Sequence, residues 1–399
     1  MIISGFRIFP TVTGGHLRTG SIARALARQG YMVLVYSIAG RRDDYSLRKR
    51  QQYRLDAIEP GLSEEVNLGL GFGLLQAMAR VLDLPRLWQY CALRCGIVPA
   101  RLLRAVRDAD LVVSDLSYTP PIRGLSRHQP WYLISHQLEH RLLQQASALH
   151  RHCAARIMRR IESTAPARYR DIFACAEEDR AFFRAHDASG LLRVPIIRCA
   201  VDSSAYVPQP GARRRVRKDL GVADEDVLLV FSGSHFGPNL AALERLKAFA
   251  RAEAAFLRQH RILFLVLGSI EPVAYREGSL IATGRVPEVV SYLAAADAGF
   301  NPVTTGAGAN VKLFEYLAAR LPVISTEFGV RGSGLRAEAD FVPYSPDDPK
   351  TALIRFVTER TPAQWKQHAE EVWSRHKGSC DIAESVRAAV AQARDFPPA

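Results

Sequence analysis

Paired cysteines are absent from the sequence. Six cysteines occur among the 399 residues, and no two of them form a Cys-x-x-Cys pair. They are Cys91, Cys95, Cys153, Cys175, Cys199 and Cys380. This pattern argues against a disulfide framework and against zinc bound by sulfur. We therefore expect a reduced, cytoplasmic compartment.

Long apolar runs are absent as well. None reaches the roughly 18 residues that a membrane-spanning helix needs. The chain starts with Met1-Ile-Ile and Phe6–Phe9, a strand-like pattern that differs from a signal peptide. No internal repeat and no low-complexity tract occurs. Because a chain of this length can bury more than one core, the sequence predicts a cytoplasmic protein of two or more domains.

Lysine is scarce, with seven residues, and the basic charge is unevenly placed. Residues 1–200 hold 29 Lys+Arg against 17 Asp+Glu, and residues 201–399 hold 24 against 23, so +12 of the net +13 lies in the first half. Codon bias explains arginine over lysine but not this asymmetry. A basic half favours an anionic membrane surface or a polyanionic substrate. Since no nucleic-acid motif accompanies the charge, nucleic acid is not an expected partner.

Strand and helix patterns alternate along the whole chain, which predicts α/β domains with parallel sheets. A linker at about Asp202 to Gln209 separates two halves, and Arg41–Asp56 is expected to be a charged loop. The predicted strands are Phe6–Phe9, Tyr31–Ser37, Leu111–Ser114, Trp131–Ser135, Asp171–Cys175, Arg193–Ile197, Val227–Phe231, Ile262–Leu267, Leu280–Thr283, Ala298–Val303 and Val323–Thr326.

The segment Asn301–Thr326 carries the strongest functional signal. Its pattern predicts a strand end, a glycine-rich turn, a helix and a further buried strand. The glycines permit close backbone approach, and the N–H groups of residues 309–311 open the helix, which makes an anion site. Lys312 and Glu315 lie in the first turn and a half of that helix, close to any bound anion.

Two familiar phosphate motifs do not fit this segment. The third glycine of a dinucleotide fingerprint is replaced by Val311, and the lysine of a P-loop is followed here by Leu313 instead of Ser or Thr. An ordinary βα turn remains an alternative for the segment.

Two further turns of the second half follow buried strands. Gly233-Ser234 precedes the predicted helix Leu240–Ala250, at the strand ends where α/β proteins bind ligands. Asn239 is a candidate for either a ligand contact or a helix cap. Thr283–Glu288 contributes Arg285, whose guanidinium suits phosphate, although a strand followed by a proline-started helix is common.

In the first half, Gly14 and Gly15 open the first predicted helix. Further along, His136-Gln-Leu-Glu-His140 has the lettering of an H-x-x-E-H zinc-hydrolase motif, which requires a helix. The strand Trp131–Ser135 runs directly into this motif and places His136 at a strand end instead. We therefore expect no metal site here.

The segment Cys91–Arg107 mixes arginine with apolar residues and follows Trp88 and Tyr90. Such a mixture at helical spacing can bind a membrane interface. An amphipathic helix with an arginine-coated outer face is the alternative. The charge asymmetry favours the membrane or acceptor hypothesis, and its candidate residues are Arg101, Arg104 and Arg107.

In this order, the segments resemble retaining GT-B glycosyltransferases, in particular glycosyltransferase family 4. The resemblance implies that Lys312 neutralises the diphosphate of a nucleotide sugar and that Glu315 binds its ribose. It further implies that His136 touches the transferred sugar, whereas Ala307 departs from an acidic residue usual in the family. The implied donor-binding residues are Gly14, Gly15, Gly233, Ser234, Asn239, Arg285, Val286, Gly308, Ala309, Asn310 and Val311.

The resemblance also implies an architecture and an activity. The expected fold is α/β, of GT-B type, with two Rossmann-like α/β/α domains facing a central cleft. Residues 1–204 would bind the acceptor, residues 205–379 the donor, and the C-terminal helix 380–399 would pack back on the first domain. The expected enzyme is a hexosyltransferase (EC 2.4) that moves a sugar with retention to a lipid-linked or growing glycan acceptor in bacterial surface polysaccharide biosynthesis, peripherally at the inner membrane.

No metal or other cofactor is expected, because protein cations and helix dipoles stabilise the leaving group. Three alternatives remain open. The first is a catalytically degenerate GT-B partner subunit, with which Ala307 is compatible. The second is a GT-B sugar-nucleotide epimerase, which a donor-only reaction would indicate. The third is a zinc hydrolase, with which the motif His136–His140 is compatible.

Overall fold

The computed structural model describes residues 1–10, 14–38, 53–67, 87–122, 125, 129–144, 149–198, 200–306 and 310–397. The chain divides into two compact units. Residues 1–198 with 382–399 form the first unit, and residues 199–381 form the second. The domain boundaries expected from the sequence, after residues 204 and 379, lie a few residues from these divisions.

The first unit is built on a mostly parallel sheet. Its strands are β1 (Ile2–Ser4), β2 (Val33–Ile38), β3 (Tyr53–Glu59), β4 (Leu62–Asn67), β5 (Val112–Asp115), β6 (Trp131–Ile134) and β7 (Asp171–Phe173). In the described part of the unit they form one sheet in the order β3-β4-β2-β1-β5-β6-β7, and β3 is antiparallel to β4. The central strands are apolar and fully buried, as expected for a parallel sheet covered on both faces.

The helices of the first unit follow its strands. They are α1 (Gly14–Arg28), α2 (Leu87–Cys95), α3 (Ala100–Asp108), α4 (Glu139–Gln144), α5 (Leu149–Ser163) and α6 (Glu177–Ala185). Leu102 and Val106 of α3 are fully buried and pack into the same core as Val112 and Leu133 of the sheet. The amphipathic pattern of α3 therefore has its apolar face inside the unit.

The second unit repeats the parallel design. Its strands are β8 (Val227–Ser232), β9 (Ile262–Leu267), β10 (Tyr275–Glu277), β11 (Leu280–Ala282), β12 (Ala298–Asn301), β13 (Val323–Ser325) and β14 (Val342–Pro343). They form one sheet in the order β10-β11-β9-β8-β12-β13-β14 among the described residues, with β10 antiparallel to β11. Because successive strands extend to opposite sides of β8, the topological switch point of the sheet lies between β8 and β12.

The helices of the second unit cover that sheet. They are α7 (Ala212–Asp219), α8 (Gly237–Ala252), α9 (Ala254–Gln259), α10 (Val290–Ala295), α11 (Val311–Ala318), α12 (Pro349–Thr358) and α13 (Pro362–Cys380), preceded by a 3-10 turn at Ser203–Tyr206. Phe264 and Phe300, both fully buried, pack their rings at a centroid distance of 5.3 Å in the core.

The C-terminal helix α14 (Ile382–Gln392) belongs to the first unit. It packs on α1, and Tyr132 donates a hydrogen bond of 2.5 Å to the carbonyl of Arg394 just beyond it. The ring of Phe396 lies 5.0 Å from the ring of Tyr132. The residues just beyond α14 thus contact the sheet of the first unit.

Two strand predictions differ from the structure. Phe6–Phe9 is not a strand, because the N–H groups of Ile8 and Phe9 donate to the carboxylate of Glu64, at 2.6 and 3.0 Å, instead of pairing with a neighbour. Arg193–Ile197 forms only a one-residue bridge, between Ala174 and Ile196.

The edge of the first sheet was also missed. The predicted loop Arg41–Asp56 overlaps β3, which begins at Tyr53, and residues 41–52 lie outside the described residues. Edge strands such as β3 alternate charged with apolar side chains, and this weakens their sequence signal.

The helix expected over Cys91–Arg107 is interrupted. It consists of α2 and α3, separated after Cys95 by Gly96, whose φ of 70° is left-handed, and by Pro99 at the N-cap of α3. Neither residue continues a helix.

None of the described helices combines the length and the hydropathy needed to span a membrane.

Candidate functional site

Among the described residues, no side chain caps the start of α11. Asn310 occupies its N-cap, but the Asn310 side chain donates to the carbonyl of Gly329 at 2.9 Å and caps no N–H group of the helix. In the first turn, the N–H of Leu313 donates to the carbonyl of Asn310 at 3.1 Å. The N–H groups of the residues before it, including that of Val311, are among those that an α-helix leaves without an intrahelical acceptor. Gly308 and Ala309, together with Ala307, lie outside the described residues.

Lys312 is the buried cation of this site. Its side chain donates to Oδ1 of Asn239 at 2.7 Å, and its Nζ lies 4.9 Å from the centroid of the Phe231 ring. The residue is only 8% exposed. Desolvation lowers the pKa of Lys312 to about 7, although the charge of Glu315 raises it. An anion that reaches Lys312 would favour its charged form.

Glu315 lies one turn further along α11. Its Oε1 accepts a hydrogen bond of 2.9 Å from the hydroxyl of Tyr206. Burial raises the pKa of Glu315, while the Tyr206 hydrogen bond and the Lys312 charge oppose that shift. Tyr206 lies in the predicted linker and was not predicted to be a site residue. An aromatic residue among linker residues was the sequence feature that could have indicated its role.

In the turn after β8, Gly233 and Ser234 differ in whether their hydrogen-bond donors remain able to bind a ligand. The N–H of Gly233 donates to the carbonyl of Leu267 at 2.9 Å, so it does not offer a donor to a ligand. Among the described residues, the hydroxyl and the N–H of Ser234 have no acceptor, and both remain able to bind phosphate. Asn239 is not a helix cap, because α8 begins at Gly237 with Phe236 as its N-cap.

Asn239 connects two loops instead. Its Nδ2 donates to the carbonyl of Ser234 at 3.0 Å, while its Oδ1 accepts from Lys312. The residue is buried in the first turn of α8. It therefore links the turn after β8 to α11, at the switch point where ligands of α/β sheets bind.

The loop after β11 lies beside these turns. Gly268, with a φ of 105°, donates from its N–H to the carbonyl of Gly284 at 3.0 Å. A Cβ on Gly268 would come within 2.5 Å of the Gly233 carbonyl oxygen, so this position requires glycine. Arg285 follows as an exposed side chain and Val286 as a half-buried one. The structure thus brings the three predicted loops of the second unit together.

In the first unit, His136 lies two residues after β6, which ends at Ile134, one residue before the predicted strand end. Its Nε2 donates to Oδ1 of Asp115 at 2.7 Å and lies 3.1 Å from the hydroxyl oxygen of Thr19. Asp115 also accepts from Thr19 and Ser4, each at 2.8 Å. Because Nε2 faces the carboxylate, Nδ1 is the nitrogen that can reach a ligand.

Asp115 is completely buried at the end of β5. Burial raises the pKa of Asp115, but the charge and hydrogen bond of His136 and the bonds from Thr19 and Ser4 outweigh it, so the pKa lies below its usual value. The sequence analysis missed Asp115. Its signal was an acidic residue that directly follows the predicted apolar strand Leu111–Ser114.

The glycine turn of the first unit lies next to this histidine. A Cβ placed on Gly15 would be 4.0 Å from Nδ1 of His136. Gly14 opens α1, and Thr13 lies outside the described residues. Arg18 of α1 is buried and donates to the carbonyls of Ser135 and Ile197 at 2.8 and 2.6 Å, which fixes α1 against the strand ends.

The zinc-hydrolase hypothesis fails on geometry. Helix α4 begins at Glu139, so His136 and His140 do not lie on one helix. Nδ1 of His140 is 2.5 Å from Glu162, whose carboxylate also accepts the N–H groups of Glu139 and His140. In the described ranges, no group of three or more metal-ligating side chains occurs.

The proposed membrane region is more complicated than its sequence indicated. Trp88 is 4% exposed and packs in the core, so it cannot be an interfacial anchor. Arg101, Arg104 and Arg107 are exposed on α3. Burial raises the pKa of Glu65, whereas the charges of Arg101 and Arg104 lower it, so two of these arginines act on a neighbouring carboxyl.

One family model and many solved structures match this chain. Residues 226–358, which lie within the second unit, match the family described as Glycosyl transferases group 1. This match agrees with the predicted glycosyltransferase enzyme. No curated protein matches the chain by sequence.

Solved structures match nearly the whole chain. Sucrose-phosphate synthase from Thermosynechococcus elongatus is 14% identical, with 97% of this chain and 96% of that chain covered and a TM-score of 0.67. The Anabaena HepE protein in complex with UDP and glucose is 14% identical, with 97% of each chain covered and a TM-score of 0.65. WaaG, a glycosyltransferase involved in lipopolysaccharide biosynthesis, is 17% identical, with 98% and 99% covered and a TM-score of 0.62. These likenesses confirm the predicted α/β fold of GT-B type.

Proposed function

We propose that the chain is a retaining glycosyltransferase, similar to family 4, that transfers a hexosyl group from a nucleotide diphosphate-sugar. One observation carries this proposal: the buried Lys312 lies in the first turn of α11, with Glu315 one turn away and Ser234 on the neighbouring loop. The group match over residues 226–358 and the UDP complex of the structurally similar HepE protein support it.

The chemistry follows from the charges of the site. When the bond between the anomeric carbon and the diphosphate breaks, negative charge develops on the departing diphosphate. The acceptor hydroxyl oxygen bonds to the anomeric carbon, and its proton passes to the departing diphosphate. Lys312, the N–H groups at the start of α11 and the Ser234 hydroxyl stabilise that charge. Because these groups supply the positive potential, we propose that the reaction needs no metal.

Glu315 is assigned to the ribose hydroxyls, and Arg285 and Val286 to the nucleotide base. The carboxylate of Glu315 can accept hydrogen bonds from vicinal hydroxyls, with Tyr206 holding one of its oxygens. His136 is assigned to the transferred sugar on the strength of the resemblance. Its Nδ1 is the available nitrogen, since Nε2 is bound to Asp115.

We assign donor binding to residues 205–379 and acceptor binding to residues 1–204. The acceptor is proposed to be a lipid-linked or growing glycan of bacterial surface polysaccharide biosynthesis, at the cytoplasmic face of the membrane. The basic charge of the first 200 residues and the exposed arginines of α3 support an anionic membrane surface.

A ligand screen tests the proposal. Thermal unfolding is followed with UDP, GDP, ADP, CDP and dTDP and with their sugar conjugates; a ligand at 100 times its Kd adds about 2.7 kcal/mol. We expect one base to stabilise the protein, with and without EDTA. Stabilisation by none of these ligands would contradict a donor site.

Product analysis separates the remaining functions. Glycan transfer to an acceptor supports the enzyme, and conversion of the donor alone would indicate an epimerase. Donor binding without any turnover of donor would support a degenerate partner subunit. Stereochemistry at the anomeric carbon of the product decides retention.

A further inference from the structure

The lysine of the donor site is held by a neutral partner. Nζ of Lys312 donates to the amide oxygen of Asn239 at 2.7 Å, and the face of the Phe231 ring lies 4.9 Å away. No described carboxylate forms an ion pair with it. A buried ammonium that has only an amide oxygen and a ring face loses most of its hydration.

The neighbouring elements add little charge. Strands β8, β12 and β13 carry no ionisable side chain. The 3-10 turn contributes Tyr206, which is bound to Glu315, and α13 contributes Glu370, which pairs with Arg320 at the far end of α11. On α8, Glu244 pairs with Lys247 two turns beyond Asn239.

Glu315 is thus the charge that acts on Lys312 from its own helix, and its influence raises the pKa of Lys312 without overcoming desolvation. Replacement of the neutral amide of Asn239 by a carboxylate would change this balance, because a charge at 2.7 Å acts more strongly than one a helical turn away.

We propose that Asn239 is a positioning residue that holds Lys312 with a neutral acceptor, so that binding of a nucleoside diphosphate is coupled to uptake of one proton by Lys312. This inference rests on the proposed donor site. The proton comes from the solvent, the lysine becomes an ammonium, and the diphosphate oxygens accept its hydrogen bonds. Donor and proton then arrive together, and the bound anion completes the charge on Lys312.

The test is calorimetric titration of the full-length protein with the diphosphate from the screen that binds best among UDP, GDP, ADP, CDP and dTDP. Titrations at about pH 8 in Tris, HEPES and phosphate relate the measured enthalpy to the ionisation enthalpy of the buffer. Since a lysine with a pKa of about 7 is mostly neutral at that pH, we expect uptake of nearly one proton.

The affinity should also depend on pH. The terminal phosphate, with its second pKa near 6, is fully ionised above about pH 7.5. Between about pH 7.5 and 9 the affinity should fall by up to about tenfold per pH unit, because the lowered pKa of free Lys312 makes charging it progressively more costly.

Variants separate positioning from a structural role. In Asn239→Asp the carboxylate keeps Lys312 charged, so uptake at pH 8 should vanish and the affinity should lose its slope with pH. Lys312→Arg should behave likewise, since arginine stays charged. Asn239→Ala should weaken binding while uptake persists. Glu244→Gln, on the exposed face of α8, is the matched control and should leave uptake unchanged.

Uptake near zero in the wild-type protein would overturn the coupling, whereas measurable diphosphate binding would leave the proposed donor site intact. Equal losses of affinity in Asn239→Asp and Asn239→Ala, with wild-type uptake in both, would show that Asn239 is only structural. If no diphosphate binds, the donor site and this inference fail together.

Discussion

The two candidate sites hold their central side chains in opposite ways. Lys312 of the second unit is a buried cation whose hydrogen-bond acceptor is the neutral amide of Asn239. His136 of the first unit donates to the carboxylate of Asp115, which also accepts hydrogen bonds from Thr19 and Ser4. The first arrangement lacks a negative charge and is completed by an anion, whereas the second is electrostatically complete and suits a neutral ligand such as a sugar.

We expect the loss of Lys312 to have the largest effect on turnover and on diphosphate binding. Lys312→Ala should lower turnover by roughly 10² to 10³ and weaken diphosphate binding, because the leaving group loses its buried counter-charge. Steady-state kinetics and calorimetry measure both. Lys247→Gln, which removes a lysine from α8 that is paired with Glu244 and Glu271, is the control. Unchanged affinity in Lys312→Ala would refute this site.

Removal of the acidic partner should have a smaller effect. Glu315→Gln should weaken nucleoside diphosphate binding by about 10-fold to 100-fold, since a hydrogen bond to a charged group contributes about 1.5–3 kcal/mol. Inorganic pyrophosphate, which has no ribose, should lose less affinity in the same titration. Tyr206→Phe, which frees one carboxylate oxygen, should reproduce a fraction of the loss.

Equal losses for the nucleoside diphosphate and pyrophosphate would show that Glu315 acts only through the charge of Lys312. The assignment of the ribose to Glu315 would then be wrong.

Substitutions at the His136 site of the first unit should lower turnover without changing the affinity for the donor. His136→Ala should lower kcat by about 10-fold to 100-fold and leave the Kd for the nucleoside diphosphate unchanged, because the imidazole is assigned to the sugar. Asp115→Asn, which alters the orientation of the ring, should lower kcat in the same direction. Elemental analysis should find no stoichiometric zinc in the purified protein.

A comparable loss of diphosphate affinity in His136→Ala would contradict the division between the anionic and the neutral site. Retained folding is checked by thermal unfolding, since Asp115 also accepts bonds from Thr19 and Ser4.

The smallest effect concerns the surface of the first unit. Replacement of Arg101, Arg104 and Arg107 by Gln should weaken co-sedimentation with anionic vesicles. Each arginine contributes at most about 1 kcal/mol to the binding free energy. The nearby carboxylate of Glu65 reduces the contribution of Arg101 and Arg104. Salt should weaken binding similarly, since the Debye length is about 8 Å at physiological ionic strength.

The matched control lies in the second unit, where Arg214, Arg215 and Lys218 are exposed on α7. Equal effects of both triple replacements, or binding that is independent of salt and of lipid charge, would contradict a specific membrane face on α3.

The sequence predicted the order of elements better than their contacts. The turns at Gly233 and Gly284 and the strand-end position of His136 follow from local patterns, because glycine and apolar periodicity act over a few residues. Asp115 and Tyr206 were missed because they reach the site through pairing of distant strands and turns. The use of the Gly233 N–H was not predictable for the same reason: it donates to Leu267, a contact that depends on the register of β8 and β9.

The membrane hypothesis shows a related limit. The sequence places Trp88 among arginines, but burial of Trp88 depends on how α2 packs against the sheet. Composition alone therefore exaggerated the apolar part of that surface and did not identify Glu65 beside the arginines.

The claim that the start of α11 binds the diphosphate of a nucleotide sugar can be tested by calorimetry. The wild-type protein and Lys312→Ala are titrated with the nucleoside diphosphate that the screen selects. We predict stoichiometric binding to the wild-type protein without added metal and a loss of at least about tenfold in the variant, which is about 1.4 kcal/mol. Equal affinity of the two proteins, or no binding to either, would contradict a nucleotide-sugar site at the start of α11.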